Sequence, residues 1–270
     1  EYAVRFRTDE HGFRDTLHGA QQTIIVLGDS FALGIGVEED ETFANRLESL
    51  IAEHRQGWEV INLGVPGYGV VQEALMLERY SNLTSPRFVV LALFVDNDLL
   101  NDARFDPSAY RLIDGYLVTG EPRPPTLFDS IRTFLNTHLK SWVWLKRTLV
   151  RISTVRDLKR QLASPSPYAL SEAGIDAWPR TQDAILRIAS LAQTNHAQFL
   201  VMLIPDKRQL GSSDPRDLEH YLAVKDFLLQ QSLPTIDLLD VFRAYPSPHR
   251  FYYAIDAHFT PEGHALAADA

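Results

Sequence analysis

The chain has 270 residues, with 26 Lys and Arg against 35 Asp and Glu, a formal net charge of −9 and 45% apolar residues. A chain of this length can bury one sizeable hydrophobic core, so it needs neither disulfides nor metals for its stability. It contains no cysteine, which excludes disulfide frameworks, thiolate zinc sites, iron–sulfur clusters and cysteine nucleophiles. The acidic balance argues against a dedicated nucleic-acid-binding protein, whose binding surface would be basic.

The chain shows no segment predicted to cross a membrane, because no apolar run approaches the roughly 18 to 20 residues that a bilayer requires. It begins at Glu1 with neither an initiator Met nor the pattern of a signal peptide. We expect that it was cut from a longer protein, and that any anchor or export signal lay in the part removed.

Short apolar strands alternate with amphipathic helices along most of the chain. The predicted strands cover residues 23–27, 58–62, 88–94, 199–204 and 235–239. Helices are predicted at about 41–54, over roughly 71–80, around 185–192 and at 221–229. Strands that are apolar on both faces indicate a parallel sheet covered by helices on both sides. The sequence therefore predicts an α/β fold.

The stretch from about 101 to 178 interrupts this alternation and is interpreted as an insertion. Two proline-rich segments, 121–125 and 164–167, flank a helical segment rich in aromatic residues. Residues 132–160 carry eight basic side chains and one acidic side chain. One interpretation is a lid, or a surface that meets an anionic or membrane partner. The other is a helix that packs its aromatic side chains on the main domain and exposes a solvated basic face.

Polar residues suited to nucleophilic catalysis follow the first three predicted strands, at the edge where parallel sheets bind ligands. A serine hydroxyl needs a base, a group that orients the base, and donors for the developing oxyanion. Ser30 follows the first strand directly and is the candidate nucleophile. Gly64, after the second strand, can offer a backbone N–H at close range. Asn97, after the third strand, can add a neutral amide donor.

The candidate base lies near the end of the chain. Thr260 and Pro261 suit the start of a helix, as the N-cap and the first helical residue. Asp256 and His258 therefore lie in a loop immediately before a helix, where the carboxylate can reach one imidazole nitrogen while the other faces Ser30. A metal site from Asp256, His258 and a nearby histidine lacks a further ligand at a recognisable spacing, so we expect none.

Nucleotide binding is the weaker interpretation of the same architecture. Gly34 and Gly36 are not followed by the third glycine of a dinucleotide-binding loop, and Glu38 and Glu39 would repel a pyrophosphate. No lysine follows a glycine loop as phosphate binding would require. We therefore expect no cofactor.

Four blocks resemble, in order and approximate spacing, those of the SGNH (GDSL-type) hydrolases, over nearly the whole chain. The blocks are Gly28-Asp29-Ser30-Phe31, Asn62-Leu63-Gly64, Asp96-Asn97-Asp98 and Asp256-Ala257-His258. Residues 11–14 also resemble the Gly-Phe-Arg arm of a group of bacterial, often membrane-associated, members. Two positions depart from the family pattern. Val95 replaces the usual glycine of the third block, and the fourth block reads D-x-H where D-x-x-H is more common.

The resemblance implies a flavodoxin-like three-layer α/β/α sandwich of about five parallel strands and a metal-free ester hydrolase. It implies that Ser30 is the nucleophile, His258 the base and Asp256 its orienting partner. The Ser30 backbone, Gly64 and Asn97 would form the oxyanion hole. Two alternatives stay open, namely an acyltransferase acting on a cell-envelope glycan and a non-catalytic module that binds a glycan or lipid.

The same resemblance gives the expected organisation and setting of the protein. An N-terminal arm, 1–22, would precede one hydrolase domain, 23–270, which contains the insertion at about 101–178. The substrate would be a small-molecule, glycan or lipid ester, hydrolysed as an O-acyl or acetyl ester or in a lipase-like reaction. No nucleic acid is expected, and the basic segment 132–160 could touch a membrane surface. The setting favoured is a bacterial cell envelope, periplasmic or membrane-associated.

Overall fold

The computed structural model describes residues 2–9, 12–15, 19–84, 86–106, 110–113, 116–119 and 172–270. For residues 82–84, 110–113, 116–119 and 172–175 only the backbone is described. The chain forms two compact units, one of residues Glu1–Phe105 with Tyr168–Ala270 and one of residues Asp106–Pro167. The basic segment predicted at 132–160 lies outside the described residues.

The strands and helices follow the predicted alternation closely. In the part of the chain that the structure describes, the strands are β1 (Gln22–Gly28), β2 (Trp58–Asn62), β3 (Phe88–Phe94), β4 (Tyr110–Ile113), β5 (Tyr116–Thr119), β6 (Gln198–Ile204) and β7 (Thr235–Asp237). The α-helices are α1 (Ser30–Leu33), α2 (Phe43–Ala52), α3 (Val70–Thr84), α4 (Val95–Arg104), α5 (Glu172–Thr194), α6 (Glu219–Gln230), α7 (Leu238–Arg243) and α8 (Pro261–Asp269).

Five of these strands form one parallel sheet in the order β2-β1-β3-β6-β7. Consecutive residues of β1 and β3 are buried, so both faces of the central strands are covered. Helices α3, α4 and α5 pack against one another, and α2 packs against α8. The predicted three-layer α/β fold with about five parallel strands is therefore confirmed.

In the second unit, β4 and β5 pair as an antiparallel hairpin that is separate from the main sheet. No helix within the described ranges is both long and apolar enough to cross a bilayer.

The end of the last strand and the segment after β3 differ from the sequence prediction. The last strand was predicted to reach Leu239, which is wrong, since β7 ends at Asp237. The Asp237 carboxylate accepts the backbone N–H of Leu239 at 2.9 Å and caps α7. A helix was also not predicted after β3, but α4 begins there, and the buried Asp98 carboxylate accepts the Phe94 N–H at 2.8 Å.

Part of the N-terminal arm is fixed to the main unit by a buried arginine. Arg14 is almost fully buried, and its guanidinium donates to the carbonyls of Leu33, Gly34 and Val37 at 2.6 to 3.2 Å. The neighbouring Phe13 ring packs edge-on against Tyr80 at 4.9 Å between centroids. These contacts join the arm to the end of α1, to the segment that follows it and to α3.

Candidate active site

Ser30 is held at the carboxyl end of β1 by a very short helix. Asp29 is the N-cap of α1, and its Oδ1 accepts the Phe31 N–H at 2.8 Å. The helix ends after four residues at Gly34, whose positive φ of 80° suits a residue without a side chain. Ser30 is therefore the first residue of a helix, where backbone N–H groups lack helical acceptors and can bind an anion.

The structure brings His258 and Asp256 to this serine. Ser30 Oγ lies 2.8 Å from His258 Nε2, and His258 Nδ1 contacts Asp256 Oδ1. An ionised carboxylate only accepts hydrogen bonds, so the proton of the neutral imidazole belongs on Nδ1. Nε2 then carries the lone pair that accepts from the Ser30 hydroxyl. The three side chains form one continuous hydrogen-bonded chain.

The short D-x-H spacing still lets the Asp256 carboxylate reach the His258 ring, because the aspartate folds back over its own turn. Asp256 Oδ1 accepts the backbone N–H of His258 at 2.9 Å, and the same oxygen contacts the imidazole of that residue. The turn is closed by a backbone bond of 3.0 Å from Tyr253 to the His258 carbonyl and by a bridge between Tyr252 and Phe259. Hydrogen bonding from the His258 side chain is the main cause that lowers the pKa of Asp256 to about 2.

The Phe31 ring supports the imidazole from the side of the core. Phe31 is buried, and its ring centroid lies 5.1 Å from that of His258. The same ring packs against Phe94 at 4.6 Å and against Phe259 at 4.8 Å. Phe31, the residue after Ser30, therefore links the His258 ring to an aromatic cluster beneath the candidate site.

Asn97 is oriented by a buried carboxylate. Asp29 Oδ2 accepts from Asn97 Nδ2 at 2.9 Å and lies 3.3 Å from Ser30 Oγ. An amide nitrogen carries two N–H groups, so this bond leaves the second for another acceptor. Asn97 Oδ1 is buried without a hydrogen-bond partner among the described residues. Burial is the largest influence on Asp29 and raises its pKa.

Gly64 packs directly on α1, the helix that begins at Ser30. A Cβ at this position would collide with the Leu33 backbone nitrogen and approach Ala32 Cβ to 2.8 Å. Its N–H, expected to face an oxyanion, donates to Asn62 Oδ1 at 3.0 Å. Asn62 Nδ2 in turn donates to the Ala32 carbonyl at 2.7 Å. An oxyanion would share this N–H with the Asn62 amide oxygen.

Two residues that sequence reasoning missed contact the loop of the candidate base. The Tyr2 hydroxyl donates to Asp256 Oδ2 at 3.0 Å. Lys207 Nζ donates to the carbonyls of Tyr253 and Ala254 at 2.5 and 2.8 Å. Lys207 follows the end of β6, so the rule that ligands gather at the carboxyl ends of parallel strands could have found it. No sequence signal indicates Tyr2.

Two further carboxylates, Asp96, which precedes Asn97 in sequence, and Asp206, share Arg208. Asp96 Oδ2 lies 3.1 Å from an Arg208 guanidinium nitrogen, and Arg208 also binds Asp206 at 2.7 Å. Burial, and then the Asp206 carboxylate, raise the pKa of Asp96 to about 7, although Arg208 opposes the shift. This edge of the sheet therefore carries both acidic and basic side chains.

His264 does not join the candidate base. It is buried in α8, and its Nδ1 accepts the backbone N–H of Phe43 at 3.2 Å. In the ranges that the structure covers, no group of three or more His, Cys, Asp or Glu side chains could hold a metal ion.

Comparisons with known proteins identify a family for the sequence and similar structures for the fold. Residues 26–266 match the model of the GDSL-like Lipase/Acylhydrolase family. A search of curated proteins found no match.

Similar solved structures include TesA, 14% identical, with 92% of this chain and 94% of that chain covered and a TM-score of 0.53. An acetyl xylan esterase, AlAXEase, is 15% identical over 92% of this chain and 96% of that chain, with a TM-score of 0.52. A catalytic mutant of Axe2, an acetylxylan esterase from Geobacillus stearothermophilus, is 11% identical over 93% and 92% of the two chains, with a TM-score of 0.51. At these identities the structural likeness establishes the fold.

Proposed function

This chain belongs to the GDSL-like lipase/acylhydrolase family of carboxylic ester hydrolases, and on that premise we propose that it cleaves O-acyl or O-acetyl esters through Ser30, His258 and Asp256. The observation that carries the proposal is the hydrogen-bonded chain from Ser30 Oγ through both imidazole nitrogens to the Asp256 carboxylate. Family membership supports an ester of a small molecule or a glycan as the substrate.

In the first half of the reaction, Ser30 Oγ attacks the ester carbonyl carbon while its proton moves to His258 Nε2. The carbonyl π electrons move onto oxygen and form a tetrahedral oxyanion. When that intermediate collapses, the bond to the alcohol oxygen breaks, and the alcohol leaves with the proton from Nε2. Asp256 stays ionised and stabilises the imidazolium.

In the second half, water attacks the acyl-serine, and His258 takes one of its protons. Collapse of the second oxyanion breaks the bond between Ser30 Oγ and the acyl carbon, and His258 returns the proton to Oγ. The carboxylic acid product leaves, and the site regains its starting protonation.

The oxyanion in both halves would be held by the Ser30 backbone N–H, the Gly64 N–H and the second N–H of Asn97. Preorganised donors of this kind stabilise charge that develops only in the transition state. The bond from Asn97 to Asp29 supports this role, because it fixes the amide plane before substrate arrives.

The proposal is tested by labelling with a fluorophosphonate probe and mapping the adduct by peptide mass spectrometry. Ser30 should form a bond to phosphorus with loss of fluoride, stoichiometrically in the unmodified protein. A general base must be unprotonated to act, so the labelling rate should fall when the pH is lowered. A protonated base cannot accept the Ser30 proton.

Ser30→Ala and His258→Ala are the variants that locate the reaction. The first should give no adduct, and the second should label at least about a hundredfold more slowly. Absence of an adduct from folded unmodified protein, or an adduct on another residue, would contradict the proposal.

A further inference from the structure

Tyr2 reaches the candidate base from the far end of the sequence. Its hydroxyl donates to Asp256 Oδ2 at 3.0 Å, while both donors of His258 bind the other oxygen, Oδ1. Two donors on one oxygen do not by themselves fix the plane of a carboxylate. A donor on Oδ2 fixes its plane.

The position of Tyr2 is itself defined by neighbouring contacts. Its ring lies 5.0 Å from that of Tyr253, within the turn that carries Asp256. Both rings cover Gly36, where a Cβ would come within 2.7 Å of Tyr253 and 3.1 Å of Tyr2. Further along the arm, the Arg5 N–H donates to the Glu38 carboxylate at 3.1 Å. The arm therefore lies on the main unit along several residues before Arg14.

The exposure of the Asp256 turn explains why such a contact matters. Ile255 is 78% exposed and the Asp256 side chain 28% exposed, so water can compete for the carboxylate. The Tyr2 ring is 40% exposed, but its contact with the Tyr253 ring restricts it, so its phenol is a less mobile donor than water. The D-x-H turn is short and has few residues of its own to hold the carboxylate.

From these contacts we propose that Tyr2 is a positioning residue for ester hydrolysis, holding the Asp256 carboxylate in the plane that orients His258. The inference rests on the proposed function, because it assigns Tyr2 a role through Asp256. Tyr2 acts through the carboxylate and does not touch the reacting atoms.

The test is a double-mutant cycle between Tyr2→Phe and Asp256→Ala, measured with p-nitrophenyl acetate. Tyr2→Phe keeps the ring and removes only the hydroxyl. It should lower kcat about five- to tenfold with KM unchanged when Asp256 is present. In the Asp256→Ala background, the same change should have no further effect, because the group through which it acts is gone.

Tyr253→Phe is the matched control, since it removes a hydroxyl from the same ring pair. That hydroxyl donates to the Gly36 carbonyl at 2.7 Å, not to a carboxylate. Its effect on kcat should be equal with and without Asp256. Equal losses for Tyr2→Phe in both backgrounds, or no loss in either, would overturn the proposal.

A titration that does not depend on turnover separates this inference from the proposed function. The hydroxyl of Tyr2 stabilises the ionised carboxylate, so Tyr2→Phe should raise the pKa of Asp256 from about 2. The carboxyl carbon resonance of Asp256, assigned with Asp256→Asn, should then begin to shift at higher pH than in the unmodified protein. An unchanged titration would overturn the inference even in a chain that hydrolyses no ester.

Discussion

At the scale of single residues, the position of Asn97 depends on the buried Asp29 carboxylate. Asn97→Ala should lower the rate of p-nitrophenyl acetate hydrolysis about 10² to 10³-fold, because the proposed oxyanion hole would lose one donor. Asn101 offers a matched control one turn further along α4, where its amide donates to the Tyr68 carbonyl at 3.2 Å. Asn101→Ala should keep the rate within about twofold. Full activity in Asn97→Ala would remove that residue from the oxyanion hole.

The places of Ser30, Asp256 and His258 in the fold could be predicted because each stands beside a recognisable element boundary. Ser30 follows a strand, and the other two precede a helix that begins at a proline. The contact of Tyr2 with Asp256 could not be predicted, because the two residues are 254 positions apart and no periodicity links them. The bond of the Gly64 N–H to Asn62 was also not predicted, since it depends on the conformation of a loop.

At the scale of elements, the strands were predictable where burial on both faces leaves a continuous apolar run. The bounds of β2 and β3 match the prediction. Helix α4 was missed because its first turn carries Asp96 and Asp98, a composition typical of a loop. Its stability comes from tertiary burial of Val95 and Leu99, which a single sequence does not show.

The hydrogen bond between α8 and α2 leads to a prediction about how the stability of the protein depends on pH. His264 is fully buried and accepts the first N–H of α2, and burial, more than the nearby positive charges, lowers its pKa to about 3. The folded state therefore keeps His264 neutral, while the unfolded chain binds a proton below about pH 6.5. Stability from this residue is present above pH 6.5 and is lost as pH falls toward 3, by up to about 1.4 kcal/mol per pH unit.

Urea unfolding between pH 4 and 8 measures this effect. His264→Gln should be destabilised at neutral pH by about 1 to 3 kcal/mol and should lose part of the acid slope. His54, exposed just after α2, provides the control, and His54→Gln should change the free energy of unfolding by no more than about 0.5 kcal/mol. An unchanged slope in His264→Gln would show that this imidazole does not govern the acid limb.

At the scale of the whole molecule, four buried carboxyl groups lie beneath the candidate site. Asp29, Glu73, Asp98 and Asp102 are each at most 1% exposed. Neither side-chain oxygen of Glu73 has a hydrogen-bond partner in the part of the chain that is described. Burial, followed by the charges of Asp29 and Asp102, raises the pKa of Glu73 well above its ordinary value. The folded protein therefore holds this group protonated over a range in which the unfolded chain ionises it.

The sign of the resulting pH dependence is opposite to that of His264. Stability from a carboxyl with a raised folded pKa is present below its unfolded value of about 4.5. It is lost as pH rises above that value, by up to about 1.4 kcal/mol per pH unit until the folded group ionises. His264 therefore limits the stability of the protein on the acid side, and the buried carboxyls limit it on the alkaline side.

Glu73→Gln isolates the alkaline contribution, because it keeps the shape of the side chain and cannot ionise. Relative to the unmodified protein, this variant should gain stability steadily as urea unfolding is repeated from pH 4.5 toward pH 8. The test compares how the free energy of unfolding changes with pH rather than its absolute value, because the buried amide of the variant would itself lack hydrogen-bond partners.

Glu78, which lies on the same helix, is exposed and paired with Arg187 at 2.5 Å and provides the control. Glu78→Gln should shift the whole curve by less than about 1 kcal/mol without changing its slope. Parallel curves for Glu73→Gln and the unmodified protein would mean that Glu73 is ionised in the folded state, and that the acids beneath the site do not restrain stability at alkaline pH.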